Sequence, residues 1–157
     1  MKESVTGIFT QYIDGEDKLF IINRQQHLKA FPGYLGFPGG KVDESDKDKS
    51  KQIIHELVED FEPYLITALN RELIEELGFN LSESIEKEIV LGIDHLGVSI
   101  TPSFNPYRFQ NHYFRIQLTP SYQLKISDDA VDAEKEIASS GFYTAAELMA
   151  EYNQAEV

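Results

Sequence analysis

The stretch from Tyr64 to Gly78 constrains the fold more than any other part of the chain. Ile66, Leu69, Leu73 and Leu77 recur every three or four residues, so one stripe of a helix is apolar, and Gly78 supplies the stop. Such a helix must bury its stripe against a sheet or another helix. The same segment carries Glu72, Glu75 and Glu76 within an arc of roughly 100° beside the stripe. Like charges at these spacings cost about 0.2–0.5 kcal/mol per pair, and Arg71 can offset only part of that through Glu75 at i+4. A hard divalent cation such as Mg2+ or Mn2+ would resolve the conflict, its shell completed by water and substrate phosphates. An ordinary exposed acidic face is the other reading.

The rest of the chain supplies the packing partners. Residues 5–9 and 18–23 read as a hairpin turning at Asp14, Gly15 and Glu16. Residues 27–40 hold Pro32, Gly33, Gly36, Pro38, Gly39 and Gly40, turn chemistry that predicts a loop interrupted by extended chain. Residues 41–50 are a charged surface loop, and over residues 51–61 the spacing of Ile53, Ile54, Leu57, Val58 and Phe61 predicts a short amphipathic helix bounded by Pro63. Residues 88–93 and 112–118 read as strands, joined by a proline-bearing stretch over 97–110 without regular structure. After an acidic loop at 127–136, Thr144 and Glu147 form a capping box that opens a helix running to Tyr152. The interleaving predicts one α+β or α/β domain over residues 1–157.

Composition removes several functions. There is no cysteine, hence no thiolate zinc site, iron–sulfur cluster, disulfide or cysteine nucleophile. Acids outnumber bases 27 to 14, a net charge of -13, which argues against a nucleic-acid partner, since binding a phosphate backbone relies on Lys and Arg. The strongly apolar runs at 19–22 and 89–91 fall far short of the roughly 20 residues that span a bilayer, so no membrane association and a cytoplasmic location are expected. The four histidines, His27, His55, His95 and His112, show no ligand spacing. Tyr107, Phe109 and Tyr113 offer a stacking platform for a purine, but aromatics around strands are more often core.

Two elements together, Gly39-Gly40 and the run Arg71-Glu72-Leu73-Ile74-Glu75-Glu76-Leu77-Gly78-Phe79, resemble a Nudix box. That motif is glycine, five residues, glutamate, seven residues, then Arg-Glu-aliphatic-x-Glu-Glu-x-Gly-aliphatic. Gly40 fits its start and residues 71–79 its second half, with two departures. Asp46 stands where the first glutamate belongs, and 24 residues separate it from Arg71 where the motif has seven, an insertion of 17. The box is split, with an inserted helix expected at about 47–63. The resemblance implies a Nudix-type α/β/α sandwich with a mixed central sheet. It further implies a metal site of Gly39, Glu72, Glu75 and Glu76 for Mg2+ or Mn2+, with Arg71, Glu72 and Glu75 in the catalytic machinery. The base would be Glu72 or an acid of a later loop, where Asp132, Glu134 and Glu136 are the candidates. A P-loop would need glycine at Leu35 and Ser or Thr at Val42, and an EF-hand from Asp46 would need glycine at Lys51 and glutamate at Leu57. Both are excluded, and an isomerase of the same fold would use the absent cysteine.

Arg24, Lys29, Gly33 and Phe37-Pro38-Gly39-Gly40-Lys41 stand in an order similar to the signature of the coenzyme A pyrophosphatase branch, with Gln25, Ile22 and Lys29 replacing its serine, threonine and second arginine. The resemblance therefore implies a small nucleoside diphosphate derivative as partner, coenzyme A among the options, with Arg24, Lys29, Gly40 and Lys41 holding it. Other leaving groups, a non-catalytic nucleotide-binding regulator and a homodimer stay open.

Overall fold

The structure, a computed structural model, describes residues 2–24, 35–102, 104, 108–127, 130 and 137–155, with backbone alone for Arg24 and 151–155. Its strands are β1 Lys2–Ile13, β2 Glu16–Arg24, β3 Leu35–Gly36, β4 Gly39–Lys41, β5 Val90–Ile100, β6 Phe109–Leu118 and β7 Ile137–Tyr143. Its helices are α1 Pro63–Leu77, α2 Leu81–Glu86 and α3 Ala145–Ala155. The strands build one mixed sheet in the order β3-β2-β1-β6-β5, with β4 added to β1 and β7 to β2. The central strand β1 runs parallel to β6 and antiparallel to β2 and β4.

Alternation along β1 divides the sheet into two faces. Val5 and Phe9 point into the core, as do His112, Phe114 and Ile116 on β6. Gly7 lies between Val5 and Phe9, and a Cβ there would meet Leu69, Leu73 and Ile116, so α1 sits close against this face. Leu69, Leu73 and Leu77, the expected stripe, are fully buried. Pro63 occupies the first turn of α1, where its missing N–H costs nothing, and Gly78 closes the helix in the left-handed region at φ 72°. The hairpin turns at Asp14 and Gly15, both at positive φ, with Glu16 already in β2.

Two expectations are corrected and two elements are added. The inserted helix over 51–61 is absent; the chain makes short 3-10 turns at Glu44–Lys47, Lys49–Lys51 and Glu56–Val58 with extended backbone between the last two. Side chains compete with helical hydrogen bonds here: Asp48 accepts from Ser50 N–H and His55 Nδ1 from Leu57 N–H, and the adjacent Ile53 and Ile54 are β-branched. The apolar side chains still find the core, since Val58 is buried and Ile53, Leu57 and Phe61 pack against it, while Ile54 is 91% exposed. The segment 97–110 is more regular than expected, because β5 continues to Ile100 past a register shift at Gly97 and β6 begins at Phe109. Helix α2, capped by Asn80 accepting from Glu83 N–H, and strand β7 were not anticipated. The terminal capping box forms as expected, Thr144 and Glu147 bonding each other's backbone N–H.

Candidate functional site

Strand β4 has three residues and two of them are glycines that only a glycine can replace without displacement. A Cβ on Gly39 would overlap the Val5 carbonyl oxygen across the β1–β4 pair. A Cβ on Gly40 would overlap the carboxylate of Glu72. Close approach of backbone to helix is the result: Gly39 N–H donates to Glu76 Oε2 at 2.8 Å, and Glu76 is buried. Gly39 and Glu76, 37 residues apart in sequence, thereby join the glycine loop and the glutamate helix into one structure.

Arg71 joins the two separated parts of the motif. Its Nε and Nη2 donate to Asp46 Oδ1 and Oδ2, each at 3.0 Å, a bidentate pair of the kind guanidinium geometry favours. Nη2 also donates to the Lys41 carbonyl at 2.8 Å, while Nη1 donates to Glu72 at 2.9 Å and to Glu75 at 3.4 Å. Asp46 is buried to 1% exposure, and its Oδ2 accepts Asp43 N–H at 2.7 Å, which folds the turn that carries it inward. A carboxylate one methylene shorter than glutamate thus reaches Arg71 because the backbone comes to it.

These contacts set the ionisation of the cluster. Burial pushes the Glu72 carboxyl above its ordinary range; its bond to Arg71 offsets part of this, and the charges of Glu75 and Asp43 add to the rise. Arg71 is held further in its charged form, first by its bond to Asp46. At the N-terminal end of α1, burial and then the Glu3 carboxylate push the Tyr64 hydroxyl up to about 12. Glu3 accepts from that hydroxyl and lies 2.8 Å from His112 Nε2, linking β1, β6 and α1.

Of the residues the sequence singled out, Gly39, Gly40, Arg71, Glu72 and Glu76 come together, and Glu75 stands at the rim. Lys41 contributes its carbonyl to Arg71, while its ammonium lies 5.4 Å from the centroid of the Phe109 ring. Arg24 ends β2; its side chain and Lys29, Asp132, Glu134 and Glu136 lie outside the described residues, as does Tyr107. Glu3 and Asp43 were missed. The Asp43-x-x-Asp46 spacing is a capping signal that could have marked the second; nothing local marks the first. Among the described residues no three or more His, Asp or Glu side chains are grouped so as to hold a metal ion by themselves.

No family model and no curated protein matches the sequence. Solved structures do. The chain is similar to a Nudix hydrolase from Alicyclobacillus acidocaldarius at 16% identity and a TM-score of 0.72, over 99% of this chain and 84% of that one. It is similar to the Nudix domain of Shewanella oneidensis NrtR, determined in complex with ADP-ribose, at 17% identity and a TM-score of 0.58, over 94% and 75%. A C. elegans Ap4A hydrolase matches at 11% identity and 0.56, over 99% and 89%. With its mixed sheet, its glycine strand and its glutamate helix so placed, the chain has the Nudix hydrolase fold.

Proposed function

We propose that this chain is a metal-dependent hydrolase that cleaves the diphosphate linkage of a nucleoside diphosphate derivative by attack of water on phosphorus, and that residues 1–157 act as one domain. The observation that carries the reading is the meeting of Gly39-Gly40 with Glu72 and Glu76, which leaves backbone and carboxylates side by side with no side chain between them. The donor set is all hard oxygen, and an open set on one helix face suits Mg2+ or Mn2+, which retain waters and take further oxygens from phosphates. Glu72, Glu75, Glu76 and the Gly39 carbonyl are the residues that would hold it. When bound, such an ion neutralises the diphosphate and lowers the pKa of a water toward neutrality.

The protein's own groups divide the remaining work. Glu72, its carboxyl held above the ordinary range by burial, takes the role of general base. Glu134 or Glu136 is the alternative base. Arg71 is a positioning residue, fixing Glu72 and Glu75 against Asp46. Phe37-Pro38-Gly39-Gly40, with Arg24 and Lys29, favours coenzyme A as the substrate. No helix among the described residues is long and apolar enough to cross a membrane.

NrtR has also been determined with a 27-mer DNA, and binding without turnover is the second reading. The hold of Arg71 on two of the candidate ligands favours it. A product assay over coenzyme A, ADP-ribose, dinucleotides, nucleotide sugars and oxidised nucleotides, with Mg2+ and with Mn2+, decides between them. Cleavage abolished by chelator and by Glu76→Gln supports hydrolysis; binding of these compounds without products supports the regulator. Faster cleavage of ADP-ribose than of coenzyme A overturns the substrate assignment alone.

A further inference from the structure

The face of the sheet opposite α1 carries a group of donors outside the carboxylate cluster. Lys2, Ser4 and Thr6 alternate with the core residues of β1, and Ser4 pairs with Lys41 on one side and Asn111 on the other. Both hydroxyls donate to the same acceptor: Ser4 Oγ and Thr6 Oγ1 each lie 3.1 Å from Asn111 Oδ1. A carbonyl oxygen has two lone pairs, so Asn111 has no acceptor left and presents only its N–H groups. Among the described residues His112 Nδ1 alone is buried without a partner, so the amide nitrogen of Asn111 faces accessible space.

Lys41 reaches toward the same place, its Nζ 5.4 Å from the ring of Phe109, two residues before Asn111 on the same face. Lys2 is opposite Phe109 in the β1–β6 pair. Neither lysine has a carboxylate within ion-pair distance among the described residues. The acids that share a cavity of about 440 Å³ with them are engaged elsewhere, Glu3 by Tyr64, Asp43 by Arg71 and Glu44 by Lys47. Two ammonium groups and the Asn111 amide donor thus stand on one face, with the already engaged Glu3, Asp43 and Glu44 beside the lysines.

We propose that Lys2, Lys41 and Asn111 form an anion subsite for a phosphate monoester that the substrate carries in addition to its diphosphate, with Phe109 as its apolar floor. This rests on the hydrolase reading for the word substrate, and on the sheet geometry alone for the anion. Lys41 follows Gly40 directly, and Asn111 lies two strand spacings from β4, about 10 Å across the sheet.

The test is equilibrium binding of adenosine 3',5'-bisphosphate, 5'-AMP and inorganic phosphate to the full chain, followed by cleavage of coenzyme A against 3'-dephospho-coenzyme A. The bisphosphate should bind at least about tenfold tighter than AMP at low salt, and Lys2→Ala or Asn111→Asp should bring that ratio near one. The double variant Ser4→Ala/Thr6→Ala keeps Asn111 but frees its amide to flip, and should lower the ratio while leaving the fold intact. Equal binding of bisphosphate and AMP by the unmodified chain overturns the subsite, as does a ratio that survives Asn111→Asp. Inorganic phosphate bound as tightly as the bisphosphate overturns it in favour of a free-anion site. If the ratio is as expected and no diphosphate is cleaved, the subsite stands and the hydrolase reading falls.

Discussion

The two halves of the split motif reach the same site by opposite routes. Residues 71–78 are presented by α1, whose register fixes each side chain by its neighbours three and four residues away. Asp46 is presented by 3-10 turns held by side chain–backbone bonds at Asp43, Asp48 and His55. The helix tolerates change at exposed positions and keeps its geometry, whereas the turns depend on individual contacts. Position on a helix comes with the helix; position on an irregular segment depends on each bond that makes it.

Breaking the junction between the halves should have the largest effect. Asp46→Ala leaves Arg71 without its bidentate partner and the turn without its anchor. Loss of one partner of a buried pair costs about 3–5 kcal/mol, and because a quarter of the Arg71 side chain remains exposed the low end, about 3 kcal/mol, is expected. Urea denaturation measures it; a midpoint unchanged from the parent would show the two halves to be independent. Asp46→Glu keeps the charge, but its extra methylene must disturb either the Arg71 fork or the bond from Asp43 N–H, at about 1 kcal/mol.

The two glycines of β4 separate stability from chemistry. Gly39→Ala sets a methyl group against backbone that cannot move, the Val5 carbonyl, so the expected result is a lowered Tm. Gly40→Ala meets the end of a flexible side chain, so Glu72 swings away and the fold survives. Turnover should then fall by at least about tenfold with Tm nearly unchanged, since 1.36 kcal/mol of lost transition-state stabilisation already gives that factor. Parental turnover in Gly40→Ala would remove Glu72 from the mechanism.

The inserted segment sharpens the contrast at the level of single side chains. Leu57→Asp removes a side chain packed on the core and should cost about 1.5–3 kcal/mol, the worth of burying it. Ile54→Asp, three residues earlier and 91% exposed, should stay within about 0.5 kcal/mol of the parent. Equal effects would mean that the segment packs as the amphipathic helix its spacing suggested.

How far the sequence disclosed this arrangement follows the same division. The register of α1, the stop at Gly78 and the hairpin turn were legible because each depends on residues within a few positions. The failed helix at 51–61 was misread because its apolar spacing reports burial, and burial was achieved by turns. Strand β7 escaped because Ser139, Ser140 and Gly141 carry no alternating apolar pattern; its pairing with β2 decides its conformation. In the candidate site, the glutamates were visible from their spacing and Gly39-Gly40 from the motif, but Glu3 is placed by strand order, which no local pattern encodes. The locked amide of Asn111 depends on two hydroxyls 105 and 107 residues away in the chain.

The smallest expected effect concerns Glu72, where helix and glycine strand meet. Its folded pKa lies above the ordinary carboxyl value, burial being the main cause. At a pH below that ordinary value both folded and unfolded chains hold the proton, and Glu72 costs nothing. As pH rises, the unfolded chain ionises first, so stability is lost across the window between the ordinary and the raised value and stays lost above it. Glu72→Gln removes this penalty. The metal-free variant should match the parent near pH 4 and have a slightly higher Tm at pH 7. Added Mn2+ should reverse the ranking at pH 7, because a ligand that binds only the folded state raises Tm and the parent has one more carboxylate to hold it. A metal-free variant less stable than the parent at pH 7 would show that the bond from Arg71 outweighs burial, and that Glu72 is held by the arginine more than it is kept ready for a cation.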